Sequence, residues 1–149
     1  MTANRIKGSI VALITPFHPD KSVNFDKLGQ LIDFHLEHKT DAILILGTTG
    51  ESSTMSHDED DEVCAYTVRR VAGRVPVIAG SGSNCTETML EKSLRFEKLG
   101  ADGLLLITPY YNKTNEEGMY LHFKTVADAV HIPCILYNVP GRTGCSISE

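Results

Sequence analysis

Five short apolar runs recur at nearly constant spacing along the chain. They begin near Ile10 (IVALITP), Ala42 (AILILGTTGE), Val75 (VPVIAGSGSN), Gly103 (GLLLITPYYN) and Ile132 (IPCILYNVPGRTG). Each run is continuously apolar rather than alternating, the pattern of a strand buried on both faces. Helical stripes fill the gaps: Leu28, Leu31, Ile32 with His35 and Leu36; Val63, Cys64, Thr67, Val68 with Val71; and Met119, Phe123, Val126, Ala127 with Val130. These spacings place each set on one helix face. Ser56 to Glu59 and Thr114 to Glu117 both fit a capping box, and Gly100 fits a helix stop. The chain therefore reads as five strands separated by four helices, the alternation that gives a parallel sheet with helical crossovers.

Two architectures compete, an open doubly wound sheet and a (β/α)8 TIM barrel. A barrel needs eight units and typically about 250 residues, and 149 residues supply four βα units plus strand five. By length alone the open sheet fits better. No linker, low-complexity tract or charge block marks a boundary within the chain.

The placement of polar residues favours the barrel. Thr15 follows the first run, Thr48, Thr49 and Glu51 the second, and Ser81 and Asn84 the third. Thr108, Tyr110, Tyr111 and Asn112 follow the fourth, and Tyr137, Asn138 and Arg142 the fifth. Ligands bind at strand C-terminal ends in both folds, but an open sheet uses mainly one switch point. Here all five ends are decorated.

Other chemistries drop away. The net charge of -5 argues against nucleic acid or an anionic membrane surface. No apolar run approaches the ~18 residues of a membrane span. The basic start of MTANRIKGSIVALITPF precedes Thr15-Pro16 without a small-residue cleavage site, which favours a first strand over a signal peptide. Cys64, Cys85, Cys134 and Cys145 form no CxxC pair and are expected as reduced thiols. The six histidines lack metal-ligand spacing, and His35, His38 and His122 are expected to be structural or exposed. Neither a P-loop nor a GxGxxG nor a GxSxG elbow is present. What remains is a set of hydroxyls and one arginine, suited to relaying protons and binding carboxylates. Bland readings stand beside this one: Thr48 and Thr49 as turn caps between Gly47 and Gly50, Tyr110 and Tyr111 as a hydrophobic lid, Arg142 as a solvated loop residue. Hydroxyl chemistry also needs an electrophilic partner, a metal or a lysine Schiff base. No lysine lies inside a strand. Lys113 alone is near a strand's C-terminal end, where it is expected to be solvated.

GTTGE (Gly47 to Glu51), PYYN (Pro109 to Asn112) and YNVPGRTG (Tyr137 to Gly144) together resemble the dihydrodipicolinate synthase branch of the pyruvate-dependent class I aldolases. That family also includes N-acetylneuraminate lyase. The resemblance covers the whole chain and implies the N-terminal part of a single TIM-barrel domain, 1–149, incomplete at its C-terminus. It implies condensation of pyruvate with L-aspartate 4-semialdehyde, through a lysine Schiff base, to 4-hydroxy-tetrahydrodipicolinate in diaminopimelate and lysine biosynthesis. No cofactor or metal is implied. Thr49 would hold the pyruvate carboxylate, and Tyr137 would be the proton donor and acceptor. Thr48 and Tyr111 would complete the relay, with Tyr111 reaching into a neighbouring subunit. Arg142 would grip the semialdehyde carboxylate. Ser53, His57, Asn84 and Tyr110 match a lysine-inhibition cleft, while Asp60 and Thr88 depart from the inhibited pattern. A cytoplasmic homotetramer, a dimer of dimers, is further implied.

The Schiff-base lysine would lie beyond Glu149, so the 149-residue chain alone is expected to be inactive. Strands one and five would be open edges, and the isolated piece is expected to aggregate, dimerise or stay molten. Two alternatives remain: a related aldolase or lyase for a sugar-derived keto acid, which Arg142 disfavours, and a non-catalytic half-barrel.

Overall fold

The computed structural model describes residues 6–148, so the basic start of the chain (residues 1–5) lies outside the described residues. The elements follow in chain order: β1 (Ile10–Ala12), α1 (Phe25–Glu37), β2 (Ala42–Ile45), α2 (His57–Val71) and β3 (Val77–Gly80). Then come α3 (Thr86–Lys98), β4 (Gly103–Ile107), α4 (Glu116–Ala127), β5 (Cys134–Tyr137) and a single-turn helix α5 (Pro140–Thr143). Strands β3 and β5 each begin two residues later than the apolar runs do. Pro76 and Pro133 explain the delay: proline has no N–H to enter a ladder. Their carbonyls still accept from Ile43 N–H (3.0 Å) and Leu104 N–H (2.9 Å).

All four strand pairings are parallel, and the order is β1-β2-β3-β4-β5. A doubly wound sheet reverses its order at a switch point. This sheet has no reversal. Consecutive helices pack on one another, and all four long helices join one face of the sheet. That face presents Ile43, Ile45, Val77, Ala79, Leu104 and Leu106 to Leu28, Ile32, Val63, Met89, Phe96 and Val126 in one buried core. At roughly 1.5–3 kcal/mol for each large side chain buried, this layer is the main source of stability. The result is a five-stranded half-barrel.

Strand periodicity places the alternate residues on the opposite, concave face. The register aligns Leu44 with Ile78, Gly80 with Leu105, and Ile107 with Tyr137 along that face. Ile78 is buried there, whereas Leu44, Leu105, Ile107 and Tyr137 are only half-buried. The candidate site sits at the C-terminal rim of this face.

Helix starts follow local chemistry. Ser56 Oγ accepts from Glu59 N–H (3.2 Å) while Glu59 Oε2 accepts from Ser56 N–H (2.8 Å), the reciprocal box expected from the sequence. The box expected at Thr114 does not form. Asn115 caps α4 instead, its Oδ1 accepting from Gly118 N–H at 2.8 Å. The carboxamide oxygen sits one residue closer to the free amides, so the helix starts one residue later and Glu117 falls out of the reciprocal position. Gly100 ends α3 with φ +97, a left-handed conformation in which a Cβ is unfavourable.

Candidate active site

The loop after β2 carries the first part of the site. Thr48–Gly50 and Ser52–Thr54 form two consecutive 3-10 turns, joined at Glu51 with φ +57. Leu46, just before them, has φ +59. Two non-glycine residues in the left-handed region within six positions need outside support. It comes from three directions. Thr15 Oγ1, buried after β1, donates to the Gly50 carbonyl at 2.7 Å. The Leu46 carbonyl packs so closely on Gly80 of β3 that any Cβ at Gly80 would collide with it. From the helix side, Ser52 Oγ donates to Asp60 Oδ2 at 3.0 Å.

Asp60 itself is 1% exposed and pairs with Lys92, which is 6% exposed, through a 2.7 Å contact. Lys92 Nζ also donates to Ser52 Oγ at 3.0 Å, closing a triangle between the β2 loop, α2 and α3. Burial pushes the Asp60 carboxyl up, and Lys92 opposes that shift. Sequence reasoning passed over Lys92 because it lies on a helix rather than a strand. The signal was present: Lys92 falls between Met89 and Phe96 on the buried stripe of α3, and Asp60 precedes Val63 and Cys64 on that of α2. Two opposite charges on facing apolar stripes point to a pair.

The loop after β5 carries the second part. Tyr137 ends the strand on the concave face, and Arg142 stands exposed on α5. This loop is closed by its own short bonds. Asn138 Nδ2 donates to Ser146 Oγ (3.1 Å), and Asn138 Oδ1 accepts from Ile147 N–H (3.3 Å). Cys145 Sγ donates to the Pro109 carbonyl at 2.9 Å, tying the loop to the end of β4.

One cavity of about 480 Å³ joins the two parts. Thr48, Tyr137 and Arg142 line it together, and so do Ser53, His57, Tyr110, Asp60 and Lys92. Thr49, Tyr111 and Asn84 are not among its lining residues. Thr49 is exposed within the first 3-10 turn. Tyr111 is 92% exposed with φ +66, projecting from the loop after β4. Asn84 uses its carbonyl to hold Asn112 Nδ2 at 3.1 Å. Lys113 is exposed, and its stem passes against Gly144. Ser81 and Thr108 are fully buried, Ser81 sharing a hydrogen bond with Ser93 at 2.8 Å. Among the described residues no group of three or more His, Cys, Asp or Glu is placed to hold a metal ion, and the cysteines are free thiols. No helix among them is long and apolar enough to cross a membrane.

Hydroxyls and an arginine converge at the C-terminal rim of a parallel half-barrel, the face at which TIM-type barrels carry their sites. The sequence profile of the dihydrodipicolinate synthetase family matches residues 5–149. The chain belongs to that family. The 4-hydroxy-tetrahydrodipicolinate synthase of Caldicellulosiruptor saccharolyticus is 61% identical over 141 residues, covering 95% of this chain and 48% of the relative. Dihydrodipicolinate synthase from Aquifex aeolicus superposes with a TM-score of 0.94 at 50% identity, covering 96% of this chain and 48% of that one. The chloride-inhibited synthase from Acinetobacter baumannii, solved in complex with pyruvate, also gives 0.94, at 48% identity and covering 96% and 49% of the two chains. The chain thus spans about half the length of the relatives it matches. The family assignment fits the two loops: a hydroxyl cluster after β2 and a tyrosine with an arginine after β5, facing one cavity.

Proposed function

We propose that this chain forms the pyruvate-handling and carboxylate-binding half of a Schiff-base synthase. In this reading the whole polypeptide condenses pyruvate with L-aspartate 4-semialdehyde to give 4-hydroxy-tetrahydrodipicolinate. The observation that carries it is the convergence of Thr48, Tyr137 and Arg142 on one cavity in a chain of this family. The rest of the barrel would supply the lysine that forms an imine with the pyruvate ketone and releases water. Loss of a methyl proton would turn that imine into an enamine, which adds to the aldehyde. The semialdehyde's amino group would then attack the imine carbon, closing the ring and releasing the lysine amine.

The residues here would do the positioning and the proton work. Thr49 would hold the pyruvate carboxylate by hydroxyl and backbone donors. Tyr137 would pass a proton to and from the reacting centre, its phenol serving as donor and acceptor in turn. Thr48 and the exposed Tyr111 would complete that relay, Tyr111 from a neighbouring subunit of a cytoplasmic homotetramer. Arg142, exposed at the rim, would grip the semialdehyde carboxylate through its planar donor fork. That carboxylate contact favours the semialdehyde over a sugar-derived keto acid. Ser53, His57, Asn84 and Tyr110 would form a lysine-inhibition cleft, with Asp60 and Thr88 breaking the inhibited pattern; activity measured with and without added lysine decides it.

The test is steady-state kinetics of the whole polypeptide with pyruvate and aspartate semialdehyde. Tyr137→Phe is expected to lower kcat by about 10²–10⁴, the usual contribution of a positioned acid–base group. Arg142→Ala is expected to raise KM for the semialdehyde while leaving that for pyruvate unchanged. An unchanged kcat in Tyr137→Phe, or turnover of a sugar keto acid in preference to the semialdehyde, would overturn the reading.

A further inference from the structure

We infer that the buried Asp60–Lys92 pair is a positioning device for the Thr48–Thr49 turn, acting through Ser52. The inference rests on the functional reading above for what the turn does, and on geometry alone for how the turn is held.

A turn with Leu46 and Glu51 both in the left-handed region stores strain that local contacts must offset. From β1 and β3 the turn is held by Thr15 and by the close seat on Gly80. Neither reaches the segment after Glu51. On that side, the side-chain bonds to the helical layer run through Ser52, which donates to Asp60 Oδ2 and accepts from Lys92 Nζ. Among the described residues the Thr54 hydroxyl bonds only locally, to the Glu51 carbonyl at 2.9 Å. Ser52 sits four residues after Thr48, so a shift of its hydroxyl is passed directly into the turn.

The charges are an expensive way to hold a helix pair. A buried ion pair is often no more stabilising than apolar residues of the same volume. Asp60 Oδ1 is buried and has no partner among the described residues, so the pair is not even fully satisfied. Leucine and methionine would pack α2 on α3 equally well. They would not give Ser52 a fixed acceptor and a fixed donor. The pair also lines the same cavity as Thr48, Tyr137 and Arg142, so its geometry is felt at the site. Its role is therefore specific to the turn and separable from helix packing.

The separation gives the experiment. Lys92→Met, Lys92→Arg and the double variant Asp60→Leu/Lys92→Met are compared with the parent in the whole polypeptide. Three quantities are read: Tm, hydrogen exchange of the peptide spanning Gly47 to Met55, and KM for pyruvate against kcat. Lys92→Met is expected to lower Tm, speed exchange in that peptide and raise KM for pyruvate about tenfold, the equivalent of about 1.4 kcal/mol. The double variant is expected to recover Tm, because no unpaired charge remains, yet keep the fast exchange and raised KM. Lys92→Arg is expected to restore part of both. Parent-like exchange and KM in the double variant would overturn the inference and leave the pair a helix clamp only. If the parent itself fails to turn over pyruvate, the proposed function fails. The exchange of the Gly47–Met55 peptide then still decides the role of the pair.

Discussion

The loops after β2 and β5 carry the two parts of one site, yet they are built differently. The β2 loop lies mid-sheet, next to paired strands on both sides, and is held by Thr15 Oγ1 on its Gly50 carbonyl and by the side-chain bonds of Ser52 to Asp60 of α2 and Lys92 of α3. The β5 loop lies at the edge. Its bonds run mainly within itself, from Asn138 to Ser146 and Ile147, with Cys145 reaching across to Pro109. The strands beneath differ in the same way. Every residue of β3 is buried, whereas β5 has none buried and Leu136 is 46% exposed. Thr48 and Thr49 thus stand on ground that this chain makes by itself. Tyr137 and Arg142 stand on an edge whose outer side, lined by Met119, Phe123, Cys134, Leu136 and Ile147, is an apolar groove of about 880 Å³.

The largest effect should come from uncoupling the β2 side. Asp60→Ala leaves the Lys92 ammonium buried and unpaired and should cost about 3–5 kcal/mol in denaturant unfolding. Arg142→Ala, on the exposed β5 loop, should change stability by no more than about 0.5 kcal/mol. Equal costs would erase the contrast. A smaller effect is expected at Ser56, where Ala removes the hydroxyl that accepts from Glu59 N–H at the exit of the β2 loop, leaves the backbone half of the capping box, and should cost about 1 kcal/mol. Asn138→Ala should likewise cost about 1 kcal/mol for its hydrogen bonds, while speeding hydrogen exchange across 138–147 without touching the β2 loop.

The subtlest effect is on pH dependence. His122 is buried on α4, its Nδ1 sharing a hydrogen bond with Thr86 Oγ1 at 2.8 Å and its Nε2 without a hydrogen-bond partner among the described residues. Burial holds its pKa below 6.5, with a carbonyl contact at Ser83 opposing the shift. As pH falls below about 6.5 the unfolded chain binds a proton that the folded His122 resists. Stability should therefore decrease on acidification through that window and level off once pH passes the folded pKa. In His122→Gln this component should vanish, as read from unfolding midpoints across the same pH range.

The strands, the helices and their order were legible because a parallel sheet demands continuous apolar runs and amphipathic crossovers demand a helical stripe. Gly47 to Glu51 and Tyr137 to Gly144 were legible as site loops because their polar residues fall at strand C-terminal ends. Three things were not legible. The α4 cap moved from Thr114 to Asn115, since two adjacent residues both cap well and only backbone geometry chooses between them. The turn at Pro140–Thr143 read as loop because four residues carry no periodicity. The Asp60–Lys92 pair was legible only as two separate charges on apolar stripes; that they meet, thirty-two residues apart on different helices, follows from packing α2 against α3. Family resemblance named Thr48, Tyr137 and Arg142, while the bonds that hold Thr48 in place came only from the fold.

The most direct test of the account is covalent trapping. The whole polypeptide carrying this sequence is treated with pyruvate and borohydride, and the adduct is located by peptide mapping. The account predicts one pyruvate-derived adduct on a lysine outside residues 1–149, lost when excess competing keto acid is present. An adduct on Lys92, Lys113 or any other lysine within this chain, or none at all, would contradict it.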